Sequence, residues 1–110
     1  MATRIRMEGS TDDEVVERCK KETNCGDCDP LVWLTPTNNV RMNPPENTVV
    51  VVVDVRGNQG AIRIVDKKDN KYVDGIGTEE TGKLVMVPWN SNWWYYTIGS
   101  IRVAYIGKKS

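Results

Sequence analysis

Histidine and phenylalanine are both absent from this chain of 110 residues, which has only three cysteines and equal numbers of basic and acidic side chains, 15 of each. Without histidine the chain lacks the usual general base near neutral pH and the commonest metal ligand. A Ser-His-Asp triad or a Cys-His dyad within one chain is excluded as well. Glycosidase chemistry survives, since it needs two carboxylates only, but nothing in the spacing singles out a pair. The acidic residues read as ordinary surface charge, no catalytic residue is assigned, and an enzyme is the least favoured reading.

The even charge balance points to neither a polyanion nor an acidic substrate. Arg4, Arg6, Arg41, Arg56, Arg63, Arg102, Lys108 and Lys109 are spread along the chain with acids between them, which argues against nucleic acid as a partner. No stretch approaches the roughly 18 apolar residues a spanning helix needs, so no membrane span is expected. Met1 to Glu8 lacks the apolar core of a signal peptide. Synthesis in the cytosol is therefore expected, with a virion or secreted location left open.

The cysteines are Cys19, Cys25 and Cys28, spaced C-x5-C-x2-C. A C-x-x-C knuckle is half of a zinc site, but three thiols without an imidazole cannot supply four ligands. The same Cys25-Gly26-Asp27-Cys28 step is misplaced for a redox dithiol, because it follows a helical segment instead of opening one. Asp27 and Asp29 would also raise a neighbouring thiol's pKa. A local disulfide from Cys19 to Cys25 or Cys28, or three reduced thiols, is the reading adopted, with no metal and no cofactor. Under oxidising conditions one thiol is left over and could pair with another chain.

Along the chain, Thr3 to Glu8 alternates as a short strand. Thr11-Asp12-Asp13-Glu14 fits a capping box, and acids in the first turn with Arg18, Lys20 and Lys21 in the last complement a helix dipole. The pattern predicts a helix over 12–22, its narrow apolar stripe of Val15, Val16 and Cys19 lying against a sheet edge. A cysteine loop follows over 23–30, and strands run from 31 onward.

Leu31 to Leu34 is a short apolar run. Asn43-Pro44-Pro45-Glu46-Asn47 cannot enter a central ladder, because proline lacks the donor. Val49 to Val53 is five consecutive valines, a run without alternation that predicts a central strand covered on both faces. Arg56 to Gly60 reads as a hairpin-like turn into Ala61 to Val65. A second turn, Lys67 to Asn70, leads into Lys71 to Val73, and a glycine-rich loop is expected over 74–82. Leu84 to Val87, Trp93 to Ile98 and Ile101 to Ile106 complete the strands, the last two joined or kinked at Gly99. About seven short strands with regular turn signals predict a single mainly β domain over 1–110, an antiparallel β-sandwich or barrel with one short N-terminal helix at its edge.

Trp89, Trp93, Trp94, Tyr95 and Tyr96 place five of the eight aromatic residues in one short segment. Indole and phenol rings combine an apolar body with a polar handle, which suits half-wet binding surfaces. On a strand, Trp93, Tyr95 and Thr97 share one face and Trp94, Tyr96 and Ile98 the other. Ile98 continues the second set, so Trp94, Tyr96 and Ile98 are expected to enter the core. Trp93 and Tyr95 would then stay outside, joined by Trp89, with Asn90, Ser91 and Asn92 supplying polar groups beside them.

The strand-rich pattern is similar in a general way to small lectins, carbohydrate-binding modules and capsid-decorating proteins of phages and viruses. That likeness is one of architecture, and such folds host many functions. Two functions are weighed. One is a non-catalytic carbohydrate-binding module using Trp89, Asn90, Asn92, Trp93 and Tyr95. The other is a structural or assembly protein, a virion or surface component, whose aromatic patch meets a protein partner or another copy in a homo-oligomer. Tyr and Trp are enriched at protein interfaces too, so composition does not separate the two.

Overall fold

The valine run occupies the centre of a sheet, as its lack of alternation requires. The computed structural model describes residues 5–8, 14, 17, 18, 21, 33–55, 60–77, 83–99 and 101–107, the side chains of 5–8 and 83 aside. Eight strands follow in chain order: β1 (Ile5–Glu8), β2 (Trp33–Leu34), β3 (Thr48–Asp54), β4 (Gly60–Asp66), β5 (Tyr72–Ile76), β6 (Lys83–Pro88), β7 (Trp93–Gly99) and β8 (Arg102–Gly107). They form two antiparallel sheets, one of five strands in the order β1-β6-β3-β8-β2 and one of three in the order β5-β4-β7. The fold is thus mainly β, and the two sheets do not close into a barrel.

β3 pairs with β6 on one side and β8 on the other, with Val51 opposite Val87 and Tyr105, and Val53 opposite Val85 and Val103. Alternate residues of a strand point to opposite faces. Val51, Val53, Val55, Val85, Val87 and Val103 therefore turn to one side, where they pack with Ile62, Ile64, Ile76, Tyr95 and Ile101 in a core that draws on both sheets. Val50, Val52, Leu84, Met86, Ala104 and Ile106 form a second buried cluster on the other side, against Trp33 and Val49. All four valines from Val50 to Val53 are fully buried. Both faces of the central strand are covered, which is why no polar residue interrupts the run.

The edge of this second face is closed by polar chemistry. Arg102 stands across from Asp54, bonds to its carboxylate, and lies over the Trp33 ring with its guanidinium carbon 4.7 Å from the centroid. The Asp54 carboxylate, almost fully buried, is thereby partnered, as a charge in such a place must be.

Several local expectations need correction. β3 and β4 do not form a hairpin, because they belong to different sheets, so the chain crosses between layers there. The turn over 67–70 does close a hairpin, β4 to β5, through Asp66 N–H to Lys71 O at 2.9 Å and Asn70 N–H to Asp66 O at 2.9 Å. The expected glycine-rich loop is partly strand: Gly75 and Ile76 belong to β5, and Ile76 is fully buried in the shared core.

Gly99 is the last residue of β7, and β8 belongs to the other sheet. Its φ of 85° is a left-handed conformation that glycine adopts without a Cβ penalty, and it lets the chain leave β7 for β8 at a corner. Most of the helix predicted over 12–22 lies outside the described residues. Glu14, Glu17, Arg18 and Lys21 have helical backbone and are exposed, but four separate residues do not establish a helix. Cys19, Cys25, Cys28 and their loop also lie outside the described residues. Among the described residues, no helix is long and apolar enough to cross a membrane.

Candidate functional site

The aromatic segment is built by the turn between β6 and β7. Trp89 follows the last residue of β6, and its N–H bonds to Val49 O at 2.9 Å, which ties it to the start of β3. The Asn90 side-chain oxygen accepts from Asn92 N–H at 2.8 Å, an Asx turn, and Trp93 N–H reaches Asn90 O at 3.0 Å. Asn favours such turns because its short side chain mimics a backbone carbonyl. The tight reversal brings the two indoles together edge to face, with centroids 5.5 Å apart and planes at 86°.

A second turn braces the first. Lys67 N–H donates to Asn92 O at 2.7 Å, and Lys67 Nζ donates to Ser91 O at 3.1 Å. The segment Pro44-Pro45-Glu46-Asn47 stands nearby, its own turn closed by Thr48 N–H to Pro45 O at 3.0 Å. Together these elements enclose a hollow of about 340 Å³ lined by Pro44, Pro45, Glu46, Lys67, Trp89, Ser91 and Trp93. The indoles and prolines supply apolar walls. Lys67 brings an ammonium group, Ser91 a hydroxyl, and Glu46 an exposed carboxylate with no ion pair among the described residues.

The ring faces are the reverse of the sequence expectation. Tyr95 is fully buried, as is Thr97, while Ile98 is 43% exposed and Trp94 and Tyr96 stand half-buried on the outer side of the three-stranded sheet. Pairing explains the reversal. Ile64 lies opposite Tyr95 and Ile62 opposite Thr97, so the face of β7 that meets the two core isoleucines of β4 is the inner one. Residues 39–42 run along the free edge of β7, with Met42 bridged to Tyr95 by hydrogen bonds of 2.8 and 3.0 Å and Asn39 N–H bonded to Thr97 O at 2.9 Å. Met42 also packs on the shared core and helps roof Tyr95.

Tyr95 is satisfied in the core by a hydroxyl partner. Its O–H and that of Tyr105 form a short hydrogen bond, and the two rings meet at 6.4 Å. Burial pushes the Tyr95 phenol well above its ordinary range, and the hydrogen bond to Tyr105 and that residue's charge push it further. Burial also raises Tyr105, against the opposing effect of its hydrogen bond to Tyr95. Both phenols therefore keep their protons at neutral pH, and either hydroxyl can donate to the other.

The five residues assigned from sequence thus divide. Trp89 and Trp93 line the hollow. Tyr95 lies beneath it, 5.9 Å from Trp89 and edge-on, as a support for the indole instead of a contact surface. Asn90 and Asn92 shape the turn and are absent from the lining. Glu46, Lys67 and the two prolines were not identified from sequence; the Pro-Pro pair signalled only a break, and nothing in sequence places residues 44–46 beside residue 91. Among the described residues no group of three or more His, Cys, Asp or Glu gathers in a way that could hold a metal ion. No protein-family model, curated protein or solved structure matches this chain.

Proposed function

We propose that this protein is a non-catalytic carbohydrate-binding module and that the hollow between Trp89 and Trp93 is its sugar site. The observation that carries this reading is two half-buried indoles lining one small cavity with a carboxylate, an ammonium and a hydroxyl at its wall. Sugars need both parts: their C–H faces pack on aromatic rings, and their hydroxyls need directional donors and acceptors. Small-molecule sites combine apolar walls with converging polar groups. Here the polar part of the lining predominates, as suits a hydroxyl-rich ligand, and the volume is at the small end of the usual range, about 300–1,000 Å³.

The perpendicular indoles form a corner, not a flat platform. That shape suits the end of a glycan, one or two rings, better than the side of a long polysaccharide. Glu46 would accept from vicinal hydroxyls, and Lys67 and Ser91 would donate.

A glycan array on the purified chain, followed by tryptophan fluorescence titrated with any hit, tests the reading. Saturable binding that shifts the emission and disappears in Trp89→Ala, with mass in solution unchanged, is the expected result. A folded protein that leaves the array blank would remove the proposal. If Trp89→Ala instead reduced the oligomeric mass, the hollow would belong to the assembly reading, with a protein side chain as its occupant.

A further inference from the structure

We propose that the outer face of the three-stranded sheet binds single-stranded nucleic acid, independently of the hollow. The sequence argued against such a partner because its arginines are scattered, but the fold gathers two of them among aromatic rings. Arg41 lies over Trp94, its guanidinium carbon 4.9 Å from the ring centroid. Trp94 and Tyr96, two residues apart on β7, face outward with centroids 5.9 Å apart. Arg63 on β4 stands between Tyr96 on one side and Gly75 on the other.

Tyr72 completes the row. It is 63% exposed, and its hydroxyl and the Arg63 guanidinium both come within reach of the space over Gly75 that a Cβ would fill. The face therefore reads Arg41, Trp94 and Tyr96, Arg63, Tyr72 from one edge to the other. Ala61, Val65 and Ile98 are the other outward residues of β4 and β7. Among the described residues, no outward position paired across these three strands carries a carboxylate, and neither arginine has an ion pair.

Charge complementarity selects the occupant. An anionic partner would satisfy two arginines that have no ion pair among the described residues, and flat groups would suit the aromatic rings beside them. Single strands do both: phosphates meet guanidinium groups while unstacked bases lie on tyrosine rings or on arginine planes. A sheet face supplies this without sequence readout, since every base has a π-face. Duplex DNA fits poorly, because its bases are already stacked and neither groove is matched by a flat sheet.

The test is fluorescence anisotropy of a labelled oligodeoxythymidylate and an oligouridylate with the full chain, over a range of salt concentrations. Saturable binding that weakens with salt is expected. Tyr72→Ala should weaken it about tenfold, the scale of one lost base stack. The R41Q/R63Q double variant should weaken it further and flatten the salt slope by about 1.4, since each phosphate contact on a single strand contributes about 0.7. Trp89→Ala, in the hollow, should leave it unchanged.

No binding at low salt would overturn the proposal. So would binding that Tyr72→Ala and R41Q/R63Q leave intact, or that Trp89→Ala abolishes. Competition by poly-glutamate as effective as by unlabelled oligonucleotide would also overturn it, and would assign the face to an acidic protein segment. Because the variants on this face and in the hollow are different residues, failure here leaves the sugar reading standing, and the reverse.

Discussion

Strand β7 carries two aromatic faces one residue out of step, and they have opposite fates. On the inner face Trp93 lines the hollow, Tyr95 is fully buried with its hydroxyl paired to Tyr105, and Thr97 is fully buried against Ile62. On the outer face Trp94 lies half-buried under Arg41, Tyr96 is half-buried beside it, and Ile98 is 43% exposed. Hydrophobicity alone does not produce this division, since the most apolar of the six, Ile98, is on the wet side. The division follows from what each face meets: isoleucines and the valine sheet on one side, arginines and solvent on the other.

The comparison is broken most directly by truncation. Tyr95→Ala should cost about 3–5 kcal/mol, the cost of deleting a buried aromatic ring, whereas Ile98→Thr should stay within about 0.5 kcal/mol. Urea denaturation midpoints decide this; equal costs would mean that the faces are assigned wrongly. A smaller effect isolates the hydroxyl pair. Tyr105→Phe leaves a buried phenol without its partner and should cost about 1–3 kcal/mol, while the Tyr95→Phe/Tyr105→Phe double variant should cost less than the two single losses together.

The same pair sets an alkaline limit. The folded state keeps the Tyr95 proton above the ordinary phenol value of 10.0, where the unfolded chain gives its proton up. The folded state then binds more protons than the unfolded one, so stability falls as pH rises. The contribution is whole below about pH 10 and declines above it, which a series of thermal melts from neutral to alkaline pH should show, with Tyr95→Phe flattening the decline.

The smallest effect has the opposite sign. Thr97 is fully buried and its hydroxyl has no hydrogen-bond partner among the described residues. Replacing it with the near-isosteric valine removes an unsatisfied polar group from the core. Thr97→Val should therefore raise stability by about 1 kcal/mol. A loss instead would mean that the hydroxyl finds a partner in solution, and that this part of the inner face is wetter than the face beneath Trp89.

Much of the architecture was legible because it rests on local chemistry. Five valines without alternation are a strand with no polar face, and that strand is central. Pro44 and Pro45 cannot donate to a ladder, and they lie in a loop. Lys67 to Asn70 has turn chemistry, and it closes a hairpin. The site was legible in half: the density of indoles marked Trp89 and Trp93, but their polar neighbours Glu46 and Lys67 come from distant segments with no motif of their own. Asn90 and Asn92 were assigned from sequence as polar contacts for a ligand, whereas the Asn90 side chain accepts from Asn92 N–H and so has a structural task in the turn.

What the sequence by itself determined is the alternation of β7: Trp93, Tyr95 and Thr97 must share a face, because successive side chains of a strand point opposite ways. Which of the two faces turns inward was decided only in the tertiary structure. A strand shifted by one residue exchanges its faces completely, so the choice rests on register with β4, on the Met42 bridge, and on a hydroxyl partner ten residues away in another sheet. Those contacts are long-range. Period-two patterning cannot contain them, and here they sent one set of rings to the core and its hollow and the other to the surface beside two arginines.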